Sequence, residues 1–307
     1  MPPLAFRTFL PGDLDRVAGI ESRIAGQSRK PFLERRLSLA ASAPEDFLSC
    51  VATDGESPAG YLFARLAEDE EIPGRRIAIL DVLGVDPEFQ GTGIGKALIA
   101  ELEKELGGRG IRTLRTEVDW ANSGMVRFFS AVGFLVAPGR IYERRTERIG
   151  EESRDDRTHS RGGLRIRSLV EEDLPAVVRI DRKHTGRDRT AFYAGRFREM
   201  RLGSGIRASL AVEEDRFVVG FVMARVDFGE FGKVDRSAVI DTLGVHPAYG
   251  RSGIGRGLLS HLLHNLSTLQ VESVRARVPE GHFALQRFLS GNGFSPSQRL
   301  LLCKTVA

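Results

Sequence analysis

LDVLGVDPEFQGTGIGKAL, Leu80 to Leu98, returns later in the chain as IDTLGVHPAYGRSGIGRGL, Ile240 to Leu258. Each copy runs from an apolar stretch of strand character, through a proline and a cluster of glycines, into a stretch of helical character. Gln90 falls on Gly250, an offset of 160 residues, and that offset holds far outside the glycines. FRTFLPGDLDRVAGIE from Phe6 lies on IRSLVEEDLPAVVRID from Ile166, and FFSAVGF from Phe128 lies on FLSGNGF from Phe288. A constant offset over separated blocks requires duplication of a whole domain, because short coincidences drift. Two similar folds are therefore expected in tandem, over residues 1–147 and 164–307. Between them ERRTERIGEESRDDRTHSRGG, Glu143 to Gly163, mixes charges of both signs and ends on two glycines, which reads as a solvated linker over 148–163.

Within the first half the periodicity alternates between strand and helix. Strands are expected near Ala5–Phe9, Phe47–Ala52, Gly60–Leu66, Ile77–Val85, Thr113–Val118, Phe134–Ala137 and Ile141–Thr146. Helices are expected over Asp13–Gly26, Pro31–Ala41, Ile94–Leu106 and Asn122–Val132, the third carrying Ile94, Leu98, Leu102 and Leu106 as one apolar stripe. The fold class is α/β.

Composition narrows the function. Lys and Arg number 45 against 41 Asp and Glu, and the arginines are spread along the chain, so nucleic-acid binding is not indicated. No apolar run reaches the ~18 residues needed to span a bilayer. The first fifteen residues have prolines and Asp13 where a secretion signal needs an apolar core, and Cys50 and Cys303 sit in apolar runs. A cytoplasmic protein with no metal site and no membrane partner is expected.

Gly91, Gly93 and Gly95 permit a sharp turn and leave backbone amides uncovered at a helix start, where the dipole is positive; this is an anion site suited to phosphate. A P-loop is excluded, since Gln90 stands at its first glycine and Ala97 where Ser or Thr should follow Lys96. The dinucleotide fingerprint is excluded too, since Lys96 occupies its third glycine.

The pattern Gln/Arg-x-x-Gly-x-Gly/Ala after L-x-V-x-P resembles the acetyl-CoA pyrophosphate loop of the GNAT superfamily of N-acetyltransferases, and LGVDPEFQGTGIG meets it in full. NSGMVRFFSAVGF, from Asn122, is similar to that family's later helix. The resemblance covers nearly all of each half and implies two tandem GNAT-like domains, each a mixed, mainly antiparallel sheet flanked by helices. It implies that the backbone of Gln90, Gly91, Thr92, Gly93, Ile94, Gly95 and Lys96 wraps the pyrophosphate, that the main chain of Leu83 and Val85 pairs with pantetheine, and that Asn122 flanks the thiol end. In the second half the matching positions are Leu243, Val245, Arg251, Ser252, Gly253, Ile254, Gly255 and Arg256, but Gly250 replaces Gln90 and His282 replaces Asn122, so the first half is expected to be the active one.

The activity implied is transfer of an acetyl group from acetyl-CoA to a primary amine of a small molecule or peptide; a non-catalytic acetyl-CoA sensor is the alternative. An alkylammonium of pKa ~10.4 must lose a proton first. Asp81, with Asp241 as its counterpart, is the candidate base, on the premise that Asp81, Leu83 and Val85 share one side-chain direction by the two-residue period; the alternative is a structural carboxylate holding a turn or a neighbouring arginine. The family's acid tyrosine is replaced by Phe129 and Leu289, leaving water or Tyr142 to protonate the thiolate; the Val85 N–H is placed to stabilise the oxyanion. The acidic run AEDEEIPG, Ala67 to Gly74, is expected either to draw a cationic amine or to be a solvated loop, and Trp120 either to line the acceptor side or to pack in the core.

Overall fold

The computed structural model describes residues 4–26, 29–55, 57–146, 165–202, 208–228 and 236–307. The linker expected over 148–163 lies outside them. In the first half the elements are β1 (Ala5–Arg7), α1 (Leu14–Ala25), α2 (Lys30–Ser42), β2 (Phe47–Asp54), β3 (Ser57–Glu68), β4 (Arg76–Val85), α3 (Ile94–Gly108), β5 (Thr113–Asp119), α4 (Ser123–Ala131), β6 (Leu135–Val136) and β7 (Arg140–Arg145). In the second they are β8 (Arg165–Ser168), α5 (Leu174–Thr185), α6 (Thr190–Leu202), β9 (Leu210–Glu214), β10 (Phe217–Phe228), β11 (Arg236–Val245), α7 (Ile254–Thr268), β12 (Ser273–Val278), α8 (Phe283–Ser290), β13 (Ser295–Pro296) and β14 (Arg299–Thr305).

Two seven-stranded sheets result, ordered β1-β2-β3-β4-β5-β14-β6 and β13-β7-β12-β11-β10-β9-β8. All pairings are antiparallel except β4–β5 and β11–β12. The apolar stripe of α3 packs Ile94, Leu98, Leu102 and Leu106 on one face of the first sheet, together with Leu62, Ala78 and Leu80. On the other face Val17 and Ile20 of α1 and Phe32 and Leu33 of α2 meet Val51, Phe63 and Val82. The second half repeats this with α7 on one face and α5 and α6 on the other.

The ends of the halves are exchanged. β7, read from the sequence as the final strand of the first half, pairs with β12 from Ser273↔Arg145 to Val278↔Arg140 in the second sheet. β14 crosses back and pairs with β5 from Arg299↔Asp119 to Thr305↔Thr113. Leu302 and Val306 are accordingly buried in the first half's core, and Tyr142 in the second's.

The glycine of the repeated L-G-V motif is a packing requirement. A Cβ on Gly84 would stand 2.6 Å from a ring carbon of Tyr61, and one on Gly244 would stand 2.7 Å from the ring of Phe221. Gly84→Ala is therefore expected to destabilise the protein by about 1–3 kcal/mol through overpacking, measurable as a lowered denaturation midpoint.

Candidate active site

β4 pairs with β3 along its whole length, but with β5 only at Ala78↔Leu114 and Ile79↔Arg115. Beyond Ile79 the parallel strands part, and among the described residues no strand covers that edge of β4 over 81–85. The second half opens the same way, its β11–β12 pairing ending at Ile240↔Ala276. A peptide-like chain laid in either opening meets free backbone donors and acceptors.

At the end of β4 the chain turns through Pro87 into the glycines. Gly91 and Gly93 take φ of +79° and +94°, which glycine adopts without strain, and Gly93 caps α3. The turn uses the amides of Phe89, Gln90 and Thr92, and the helix ladder starts with Ala97 N–H donating to Gly93 O at 3.0 Å. Among the described residues no acceptor takes the N–H groups of Gly91, Gly93, Ile94, Gly95 or Lys96. They cluster at the positive end of a fifteen-residue helix, a site built for an anion. Thr92 Oγ1 fixes the turn by donating to Phe89 O at 2.6 Å.

The second loop keeps this backbone despite Gly250. Arg251 and Gly253 take φ of +64° and +88°, Ser252 Oγ donates to Tyr249 O at 2.6 Å, and the ladder starts with Gly257 N–H on Gly253 O. Arg251 is a non-glycine residue in the left-handed region, a conformation that costs about 1–2 kcal/mol and persists where the surroundings impose it. The lost glutamine has a substitute that its loop sequence does not announce. Gln90 Nε2 donates to Val85 O at 3.1 Å; in the second half His184 of α5 places Nε2 2.6 Å from Val245 O. Thus the carbonyl of Val85 or Val245 is engaged by a side chain.

Behind the first loop lies an anchor. Asp86 is fully buried, accepts from Glu88 N–H, and is ion-paired to Arg16 at 2.7 Å and to Arg23, fastening α1 to the loop. His246 takes its place, with Nδ1 3.2 Å from the Ala248 N–H. Desolvation, then the positive charges of Lys183, Arg179 and His184, hold the His246 imidazole below its ordinary pKa, in the neutral form that can accept this hydrogen bond.

Asn122 caps α4, its Oδ1 accepting from Met125 N–H at 3.1 Å, whereas His282 makes no such cap for α8. Trp120, two residues before, is 60% exposed, so core packing is ruled out for it. Phe129 and Leu289, at the family's tyrosine position, are buried in the two cores. Tyr142 cannot act beside Phe129, because strand exchange buries it in the second half.

The premise that Asp81 shares its direction with Leu83 and Val85 is overturned by a bulge. Ala64 pairs with Leu80 and Phe63 with Val82, leaving Asp81 as the extra residue. Leu83 and Val85 face the α3 core, while Asp81 turns to the α2 side, 7% exposed, with its oxygens 3.1 Å from Arg36 Nη1 and 3.2 Å from Arg65 Nε. Asp241 is the bulge residue of β11 and is ion-paired to Arg225 and, at 3.9 Å, to Arg196. Glu199 of α6 joins the two sets, 2.8 Å from Arg196 and 3.9 Å from Arg65.

This network borders a cavity of about 440 Å³ between the halves. Phe32, Arg36 and Arg65 line it from the first half, and Phe192, Glu199 and Asp241 from the second. The acidic run beside it is not a free anionic surface. Asp69 is buried and paired with Arg75 and Arg115, Glu70 lies 2.7 Å from Arg277 of the second half, and the Glu71 carbonyl accepts from Arg187. Among the described residues no cluster of His, Cys, Asp or Glu has metal-site geometry, and no helix is long and apolar enough to cross a membrane.

The acetyltransferase (GNAT) family model matches the chain twice, over residues 17–134 and 167–294. A mycothiol acetyltransferase of Paenarthrobacter aurescens is 31% identical over 140 residues, 43% of this chain and 42% of that protein. The ribosomal protein bS18-alanine N-acetyltransferase of Escherichia coli is 30% identical over 104 residues, 34% of this chain and 64% of that protein. The chain thus spans less than two thirds of the length of these curated relatives. A tandem GNAT protein from the clavulanic acid biosynthesis pathway matches over 99% of both chains, with a TM-score of 0.68 at 16% identity. A GCN5-related N-acetyltransferase from Sphaerobacter thermophilus matches over 99% of this chain and 96% of its own, with a TM-score of 0.60 at 14% identity. These two likenesses are of fold. With one family match on each strand–loop–helix unit, the chain belongs to the acetyltransferase (GNAT) family.

Proposed function

We propose that this chain transfers an acetyl group from acetyl-CoA to the primary amine of a small molecule or peptide. The observation that carries the reading is the pairing, in each half, of five unengaged amides at a helix start with a strand edge that no strand covers. The amides of Gly91 and Gly93 to Lys96, and of Arg251 and Gly253 to Arg256, would hold the pyrophosphate. The backbone of Leu83 and Leu243 and the N–H of Val85 and Val245 would hold the pantetheine, Gln90 and His184 having engaged the two valine carbonyls. When bound, acetyl-CoA supplies the acyl thioester. Asn122 would flank its thiol end in the first half.

The cavity between the halves would admit the acceptor. As the base that deprotonates it, Asp81 is poorly placed: its oxygens are already held by Arg36 at 3.1 Å and Arg65 at 3.2 Å. The role the contacts support is holding Arg36 and Arg65 at the cavity wall. Phe129 and Leu289 offer the departing thiolate no hydroxyl, which leaves its protonation to water and keeps the sensor reading in play. Release of free thiol from acetyl-CoA in the presence of a panel of primary amines tests the two readings: amine-dependent release is expected, and tight binding without release for any amine would favour the sensor.

Gly93→Ala gives a further test. No atom lies within 4 Å of the added Cβ, so the change acts only through the +94° backbone, at about 1–2 kcal/mol. If that strain reshapes the cradle, acetyl-CoA should bind the first half roughly tenfold more weakly, an effect calorimetry resolves.

A further inference from the structure

We propose that His282 is the proton shuttle of the second half, taking a proton from the acceptor nitrogen and delivering it to the departing sulfur of acetyl-CoA. The inference rests on the acetyl-transfer reading and names the residue that moves the proton.

Neither half supplies such a group from the expected positions. Asp81 and Asp241 are held by arginines, and Phe129 and Leu289 are buried in the cores without a hydroxyl. At the thiol end the two halves differ. In the first, Asn122 Oδ1 is occupied in capping α4, and an amide does not exchange protons as an acid or a base. In the second, the same position before α8 holds His282, which makes no side-chain cap and stands exposed. Among the described residues no hydrogen-bond or ion-pair partner holds its ring. Imidazole is the side chain suited to both taking and returning a proton near neutrality.

The chain fixes where this ring stands. β12 runs parallel to β11, and their last pair is Ile240↔Ala276. β12 continues only to Val278, and the turn after it delivers His282 to the start of α8. His282 therefore stands on the β12 side of the opening whose other side is β11 over 241–245. His282 and Leu289 are two helical turns apart, so they share one face of α8. Side chains on a helix lean toward its N-terminus, and a hydroxyl carried at 289 would point along that face toward 282. The imidazole approaches the same place from the other end.

The cavity between the halves favours the same half. Asp241 lines it, as do Met223 and Ala224, the β10 residues on either side of the register shift at the bulge. Their first-half counterparts Asp81, Phe63 and Ala64 are absent from its described lining. An acceptor in the cavity thus meets the reacting strand at β11, beside the opening that His282 borders.

The proton count closes without another reactant. The acceptor ammonium first loses one proton to water. As the nitrogen–carbon bond forms, the neutral imidazole takes a second proton from nitrogen. As the carbon–sulfur bond breaks, sulfur keeps the electron pair and receives that proton, which returns the imidazole to its neutral form.

The test measures amine-dependent thiol release by the full-length protein. His282→Ala is expected to lower kcat at least tenfold with the KM for acetyl-CoA little changed. Added imidazole should restore part of that turnover, which a merely structural role would not allow. His282→Asn, which places the first half's residue in the second, should bind acetyl-CoA and stay as slow as His282→Ala. Wild-type kcat in either variant, or a loss that imidazole leaves untouched, would overturn the inference while acetyl transfer stands. Absence of amine-dependent release from the unsubstituted protein would overturn the acetyl-transfer reading instead.

Discussion

Asp81→Asn is expected to lower the stability of the protein by roughly 3–5 kcal/mol. The substitution keeps the shape of the side chain but removes the charge that two arginines share at 3.1 and 3.2 Å. Removing one partner of a buried ion pair is far more damaging than replacing the set with apolar groups, because the remaining charges stay desolvated. Here the remainder is Arg36 and Arg65, the latter also 3.9 Å from Glu199 of the second half. The variant should therefore unfold at a clearly lower denaturant concentration, while acetyl-CoA binding in the surviving folded fraction changes little. A free catalytic base would behave differently: stability would be kept and turnover alone would fall. Equilibrium unfolding and turnover, measured on the same preparation, separate the two.

Ending the chain at Gln298 is expected to unfold the first half rather than the second. The nine residues removed include β14, which lies between β5 and β6 of the first sheet, and Val306 beyond it. Burial of Leu302 and Val306 alone contributes on the order of 3–6 kcal/mol, against about 5–15 kcal/mol for a whole domain. The β5 ladder from Thr113 to Asp119 would lose its antiparallel partner, leaving little beyond the two pairs it makes with β4. Hydrogen exchange should show collapse of protection at residues 113–119 while residues 273–278, paired with β7, keep theirs. Were each half closed by its own last strand, the loss would appear at 273–278.

That exchange was not legible in the sequence, and the reason is the repeat itself. Ile141 and Leu301 occupy equivalent positions in strands of similar length and alternation, so either strand satisfies either sheet locally. Only the spatial relation of the halves chooses between them. The elements themselves were legible, because α3 carries an unbroken four-residue stripe and the strands are bounded by glycines and prolines. The glycine loop was legible because its chemistry is local: the residues that shape the turn are consecutive. The bulge at Asp81 escaped, since strict alternation assumes no extra residue, although Leu80, Val82 and Leu83 already depart from a clean two-residue pattern. His184 escaped for a different reason. It reaches Val245 from a helix 61 residues away, and no pattern in the second loop points to a partner there.

The substrate side shows the same division. The run Ala67 to Gly74 is acidic on paper, but Asp69 and Glu70 are engaged by Arg75, Arg115 and Arg277 once the halves meet.

The most direct test of the account is a calorimetric titration of the intact protein with acetyl-CoA, read for stoichiometry. Both loops share the left-handed residue pair, the unengaged amides and the open strand edge, so two sites per chain are predicted. His184→Ala should weaken one of them. A single site would contradict the equivalence of the two cradles, and no binding at all would contradict the assignment of the loops to the pyrophosphate.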